Sequence, residues 1–228
     1  MTDFPFDIVG FDLDGTLLDS LGDLAVALNH ALSIEGRPAI PVSEVRDLVG
    51  GGARKMLAKG LDVTGGPVSE ARLDELHHEL IAYYADHIAV ETRLYPGGEA
   101  MLRGLAERGV KLAVVTNKLE RLAVKIFEEM GLSHHFFTVI GGDTLGPGRA
   151  KPKPDLIDLM LERAGSGRSG AVRAAFVGDT TYDTGAAAAA GLPCVAVSFG
   201  FNDKPASELG ATVVIDHFDE LIPALESL

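Results

Sequence analysis

The sequence predicts an α/β protein: a doubly wound, parallel, Rossmann-like sheet with a small helical cap inserted after its first strand. Two observations carry this. From about Leu94 onward, short apolar runs alternate with amphipathic stretches, the pattern of strand–helix units that build a parallel sheet. Before that point, one apolar run near the N-terminus is followed by a stretch from about Ser20 to Ala89 that reads as helix after helix. The expected division is a sheet-bearing core over residues 1–18 and 94–228, and a helical cap over 19–93.

Each element has a local reason. Phe6, Ile8, Val9 and Phe11 suit a buried strand, and Gly15 supplies the turn that ends it. The cap should contain helices over Asp19–Ile34, Val42–Leu48, Ala53–Lys59 and Val68–Ile88. In the last of these, Leu73, Leu76, Leu80, Ile81 and Tyr84 recur at helical spacing with polar residues between. The sheet resumes after Tyr95-Pro96-Gly97, with strands expected at Leu112–Thr116, Phe136–Ile140, Ala174–Val177, Cys194–Val197 and Thr212–Ile215. Helices are expected between or after them at Gly98–Arg108, Leu119–Met130, Pro154–Arg163, Thr184–Ala190 and Phe218–Leu225. Linkers near Leu17–Ser20 and Glu91–Pro96 would join the two parts and let the cap hinge.

Composition narrows the function classes. The net charge of −13, from 20 basic and 33 acidic residues, argues against nonspecific binding to nucleic acid or to an anionic membrane. A small anionic substrate is compatible, provided the site supplies local positive charge. No apolar run approaches the roughly 20 residues that span a bilayer, and the N-terminus lacks the pattern of a secretion signal. The single cysteine, Cys194, cannot form an internal disulfide; a cytoplasmic location is the expectation. Cys194 sits in an apolar run and reads as a buried hydrophobe rather than a nucleophile.

The chemistry concentrates at predicted strand ends. Asp12 and Asp14 are two apart, so on extended backbone both carboxylates face one pocket. In open parallel sheets ligands bind beyond the carboxyl ends of the strands. No Lys or Arg lies between Asp3 and Arg37 to relieve the repulsion, and a hard divalent cation is the simplest relief. Thr116 and Asn117 follow a second strand and precede a helix, a candidate anion cradle; Asn117 could equally cap that helix with Glu120. Lys151-Pro152-Lys153-Pro154 offers a lysine able to balance Asp12 and a phosphate at once. Asp179 stands just beyond the Ala174–Val177 run, with Asp183 a helical turn on, a second acidic pair suited to a metal site shared with Asp12. Asp179 as a helix cap is the alternative. The seven histidines show no zinc-site spacing and read as structural or surface residues.

These segments carry a resemblance. Phe11-Asp12-Leu13-Asp14-Gly15-Thr16, the strand-end Thr116, Lys151-Pro152-x-Pro154 and Gly178-Asp179-(x)3-Asp183 resemble, in order and placement, the four motifs of the haloacid dehalogenase superfamily. The helical insertion is similar to the small cap of its phosphatase branch. Within that branch the chain looks most like the bacterial phosphoglycolate phosphatases, through Thr116-Asn117-Lys118, Val139–Asp143, the Lys-Pro-x-Pro-Asp turn and Phe199–Asn202. The resemblance implies a Mg2+-dependent phosphomonoesterase that hydrolyses a small phosphate ester, 2-phosphoglycolate, through an aspartyl phosphate on Asp12. Asp14 would be the acid and base, and its presence favours a phosphatase over a dehalogenase, because an alkoxide needs a proton to leave and a halide does not. Magnesium would be held by Asp12, the backbone carbonyl of Asp14, and Asp179, with Asp183 as ligand or in support. Thr116, Asn117 and Lys151 would bind the phosphoryl oxygens. Two departures stand out: Thr180 replaces a frequent serine, and the cap reads Gly50-Gly51-Gly52-Ala53-Arg54-Lys55. The glycines permit close approach to a ligand, and Arg54 could clamp a substrate carboxylate or be a solvated surface residue.

Other readings stay open at this point. The substrate could be another small phosphate, such as a sugar phosphate or pyrophosphate, or the chain could be a phosphoglucomutase. A phosphoaspartate signalling module shares strand-end acids and a threonine–lysine pair, but such modules are shorter and carry no helical insertion over the site.

Overall fold

The structure, a computed structural model, describes residues 4–165 and 172–228. In chain order the strands are β1 (Ile8–Phe11), β2 (Leu18–Asp19), β3 (Arg93–Leu94), β4 (Lys111–Val115), β5 (Phe136–Ile140), β6 (Ala174–Gly178), β7 (Cys194–Val197) and β8 (Val213–Ile215). The helices are α1 (Leu21–Ile34), α2 (Val42–Val45), α3 (Ala53–Gly65), α4 (Glu70–Asp86), α5 (Gly98–Glu107), α6 (Glu120–Met130), α7 (Asp155–Arg163), α8 (Thr181–Ala189) and α9 (Leu221–Glu226).

Six strands form one sheet in the order β5-β4-β1-β6-β7-β8, and every pairing in it is parallel. Strands buried on both faces read as continuous apolar runs, which is why they were visible in the sequence. Alternation along each strand divides the core. Val9, Phe11, Leu112, Val114, Ala175, Val177, Val195 and Val197 face one side, with Leu102, Leu105, Ile126 and Phe127 of α5 and α6. Ile8, Ala113, Val115, Ala174, Phe176 and Cys194 face the other, with Leu156, Ile157 and Met160 of α7 and Ala186 and Ala187 of α8. Cys194 is buried among them, and burial pushes its thiol pKa up.

Residues between β2 and β3 form α1 to α4, with α1 packed on both α3 and α4. The apolar stripe of α4 consists of Leu73, Leu76, Leu80, Ile81 and Tyr84, all buried as the spacing predicts. Ser69 caps this helix, its hydroxyl accepting from Arg72 N at 3.3 Å.

Three elements differ from expectation. The linkers are not bare: β2 and β3 pair antiparallel, Leu18 with Leu94 and Asp19 with Arg93. Tyr95 N extends that ribbon by donating to Leu17 O at 3.1 Å. The buried carboxylate of Asp23 then fixes the returning strand by accepting from Glu91 N, Thr92 N and Thr92 Oγ1. Helix α3 runs six residues beyond the predicted end at Lys59, because Leu61 continues the buried stripe of Met56 and Leu57. Helix α8 starts at Thr181 rather than Thr184, for a reason found in the site itself.

Candidate active site

The strand order reverses at β1, whose neighbours are β4 and β6. Asp12, Thr116 and Asp179 each follow the last residue of one of these three strands, the crevice where open α/β sheets bind ligands. Asp12 N donates to Val177 O at 2.9 Å and Thr116 N to Ile140 O at 3.0 Å. The ladder therefore continues into the site and fixes the backbone under each side chain. Gly15 then turns the chain at φ +83°, and a Cβ there would lie 2.3 Å from Asp179 Oδ2. Only glycine fits that turn.

Asp12, Asp179 and Asp183 converge, with one carboxylate oxygen from each lying within 4.8 Å of the others. Lys151 sits among them, its Nζ 2.9 Å from Asp12 Oδ1 and 2.6 Å from Asp183 Oδ1. Its contact with Asp12 is an ion pair outside hydrogen-bond geometry, so the buried Asp12 Oδ1 accepts no hydrogen bond. Asp179 is fully buried and accepts from Thr16 Oγ1 at 2.9 Å and Phe201 N at 2.7 Å. Burial drives the Asp12 carboxyl up to about 6, with Lys151 opposing and Asp183 reinforcing the shift. Asp179 is raised well above the usual carboxylate range by burial and by the charges of Asp183 and Asp12. Burial disfavours the ammonium of Lys151, but Asp12 and Asp183 outweigh it and hold the pKa at about 12.

Three acids against one lysine leave an excess of negative charge in a buried place. The orphaned Asp12 oxygen and the raised carboxyls are what a cluster shaped for a hard cation shows when its charge is counted alone. The residues fit a divalent metal ion.

Asp183 has a second occupation. Its Oδ2 accepts from Asp179 N, Thr180 N and Thr180 Oγ1 at 2.7–3.2 Å. Thr180, not Asp179, is the N-cap of α8, with Asp183 reaching back to it. This capping box starts the helix early.

Asp14 lies beside this cluster but belongs to a different network. Lys118 Nζ stands 2.9 Å from both of its carboxylate oxygens, and Ser20 Oγ donates to Oδ1 at 2.6 Å. Lys118 also donates to Tyr84 Oη at 2.8 Å, from a position 4.5 Å above that ring's centroid. Burial works against the charge of Lys118, yet Asp14 and Tyr84 prevail and keep its pKa above the ordinary lysine value. Burial lifts the Tyr84 phenol to about 12. So the two neighbouring acids do not depend on a cation alone, as the sequence suggested: each has its own buried lysine.

Thr116 Oγ1 accepts from Lys118 N at 3.2 Å, which leaves its own proton to donate into the cavity. Asn117 does not cap α6. Its Nδ2 donates to Lys151 O at 3.1 Å and its Oδ1 is buried without a partner. The α6 N-terminus is served instead by Asp143, whose Oδ1 accepts from Glu120 N at 2.8 Å. One N–H of the helix end is thus already engaged, by Asp143.

Asp12, Asp14, Thr116, Asn117, Lys118, Lys151 and Asp179 line one cavity of about 530 Å³. Its other wall comes from the helical segment, including Leu24, Gly50–Gly52, Met56, Leu80 and Tyr84. Gly50, Gly51 and Gly52 all have φ between +75° and +100°, a run that non-glycine residues resist. Arg54 stands on the wall too, but its guanidinium is tied to Glu70 and Asp74 at 2.7 and 2.8 Å. Arg46 donates to the carbonyls of Phe199 and Gly200 and so joins the helical segment to the core. His77 also reaches the cavity wall, where burial lowers its pKa.

Lys118, Tyr84, Thr16 and Ser20 were missed as site residues. Lys118 stands in the Thr116-Asn117-Lys118 triplet, but its partner Asp14 lies 104 positions away, beyond any local pattern. Thr16 and Ser20 follow the Asp12–Asp14 motif closely and were the findable ones.

Known proteins resemble this chain over most of its length. Residues 9–197 match the model of the haloacid dehalogenase-like hydrolases. A phosphoglycolate phosphatase of Agrobacterium fabrum is 39% identical over 217 residues, covering 94% of this chain and 90% of that protein. One from Pseudomonas savastanoi is 41% identical over 221 residues, covering 95% of this chain and 78% of that protein. The crystal structure of a predicted phosphoglycolate phosphatase from Haemophilus somnus superposes with a TM-score of 0.86 at 28% identity, covering 96% of this chain and 98% of that one. Among the described residues no helix is long and apolar enough to cross a membrane. The motif order, the strand-end cluster and the match over most of the chain lead to one statement: this protein belongs to the haloacid dehalogenase-like hydrolase family.

Proposed function

We propose that the protein is a Mg2+-dependent phosphomonoesterase for a small phosphate ester, 2-phosphoglycolate, with residues 19–93 acting as a cap over the site. The observation that carries this reading is the meeting of Asp12, Asp14, Thr116, Lys151 and Asp179 in one cavity. The names of the relatives at 39% and 41% identity support the substrate.

Asp12 attacks phosphorus, forming its Oδ–P bond as the P–O bond to the leaving group breaks. Asp14 gives the departing alkoxide a proton, then takes one from the water that attacks the aspartyl phosphate and releases Asp12. Lys151 holds Asp12 in position and neutralises phosphoryl charge, and Thr116 donates its free hydroxyl proton to a phosphoryl oxygen. Asn117 contributes through the amide proton not given to Lys151. Asp12, Asp179 and the Asp14 carbonyl would hold magnesium, with Asp183 in support. When bound, the ion supplies further charge neutralisation for the phosphoryl group. Arg54, at the rim, could reach a substrate only by leaving Glu70 and Asp74.

A panel of 2-phosphoglycolate, sugar phosphates, nucleotides and pyrophosphate, scored by kcat/KM with Mg2+, tests the reading. Phosphoglycolate should lead the panel. If it ranks no higher than the median, the substrate assignment fails; if nothing is hydrolysed, the phosphomonoesterase assignment fails.

A further inference from the structure

Among the described residues the cavity wall carries three lysine or arginine side chains: Lys151, Arg54 and Lys118. Lys151 is engaged with Asp12 and Asp183, on the side of the nucleophile. Arg54 has a side chain 43% exposed and is paired with two acids of α4. Lys118 alone of the three stands beside Asp14, with a side chain only 5% exposed.

Asp14 must touch the leaving oxygen in order to protonate it. Whatever is bonded to that oxygen therefore lies next to the ammonium of Lys118, which is 2.9 Å from both Asp14 oxygens. The same cavity has a largely apolar wall, with Leu24, Leu80, Ile81 and Leu122 among its lining residues. A carboxylate placed against it without a cation would be strongly disfavoured.

The geometry points to Lys118 as the specificity residue: its ammonium turns from Asp14 to the carboxylate of an ester that carries one a single carbon from the leaving oxygen. A flexible four-carbon stem permits that small turn, and Tyr84 Oη, 2.8 Å away, holds the ammonium nearby throughout. A neutral ester offers nothing for Lys118 to turn toward. Discrimination thus comes from a buried charge that one ester satisfies and the other does not. This inference rests on the phosphomonoesterase reading and deepens it.

The test compares kcat/KM for 2-phosphoglycolate and for 2-hydroxyethyl phosphate, which replaces the carboxylate by a neutral CH2OH. Wild type should favour phosphoglycolate by at least about 30-fold, the factor expected for a buried charge pair. Lys118→Met should collapse that ratio toward one, and Lys118→Arg should restore part of it. Wild-type turnover should also be inhibited competitively by glycolate and not by ethylene glycol, a measurement that needs no folded variant. Equal losses on both esters in Lys118→Met would show that Lys118 serves only Asp14, and would overturn the inference. A wild type that hydrolyses both esters equally well overturns it too, but leaves the phosphatase reading standing. A wild type that hydrolyses neither overturns that reading, and the inference with it.

Discussion

Asp12 and Asp14 leave the same strand two residues apart, yet they inhabit different surroundings. Around Asp12 the site is dense with charge: Asp179 at a strand end, Asp183 in the first turn of α8 and Lys151 in the loop before α7 are buried there. Around Asp14 it is sparse: one lysine, one serine, and a tyrosine from α4 amid aliphatic side chains. The first region is built wholly from the core; the second is shared between core and helical segment. Identical side chains acquire different chemistry from their neighbours. On the function proposed above, the charge-dense side would take the metal and the phosphoryl group, and the sparse side the leaving group.

The sharpest way to break this comparison is to neutralise each acid. Asp12→Asn should lower kcat by about 10⁴-fold or more, with no covalent phosphate on the protein by intact mass spectrometry. Retained turnover would remove Asp12 as the nucleophile. Asp14→Asn should lower kcat by about 10²–10⁴-fold, but with phosphate trapped on Asp12 after a substrate pulse. Should the two variants behave alike in that pulse, the division of roles fails.

Metal addition sharpens the charge-dense half. Asp12 has a carboxyl raised from 3.8 to about 6 in the folded, metal-free chain, so below about pH 4 folded and unfolded states are protonated alike at this group. As pH rises toward 6 the unfolded chain releases the proton first, and the relative stability the group gave at low pH is lost. Asp179 is shifted the same way. A cation bound to the ionised pair reverses the loss. Magnesium at about 100 times its Kd should stabilise by about 2.7 kcal/mol near neutral pH, roughly 5–10 °C in Tm for a chain of this size. The shift should shrink from pH 7 to pH 5 in thermal melts. A Tm indifferent to magnesium at pH 7 would count against the cluster as a metal site.

The smallest effect belongs to the sparse half. Tyr84→Phe removes the hydroxyl that accepts from buried Lys118, a loss of about 1.5–3 kcal/mol in urea unfolding. A change below a few tenths would mean that the tyrosine ring, not its hydroxyl, holds the lysine.

How much of this was legible beforehand follows the same division. The charge-dense half could be read because its members follow a buried parallel strand, sit in the first turn of the next helix, or stand in a proline-marked turn. Asp12, Thr116 and Asp179 are marked by the apolar runs before them, and Lys151 by its prolines. The sparse half could not, because Lys118, Tyr84 and Asp14 meet only in the folded chain. Local rules also misjudged small things for physical reasons. Asn117 looked like a cap, but Asp143 on the neighbouring loop reaches the helix end first. The ribbon of β2 and β3 has two residues per strand, too short for any periodicity to register.

That ribbon has a consequence for how such a chain can diversify. Leu18 and Leu94 are direct partners, so everything between them leaves and re-enters the molecule through one doorway. Insertions, losses or wholesale exchange of that cassette would reshape the cavity wall that Leu24, Met56, Leu80 and Tyr84 supply, while β1, β4 and β6 kept their register untouched.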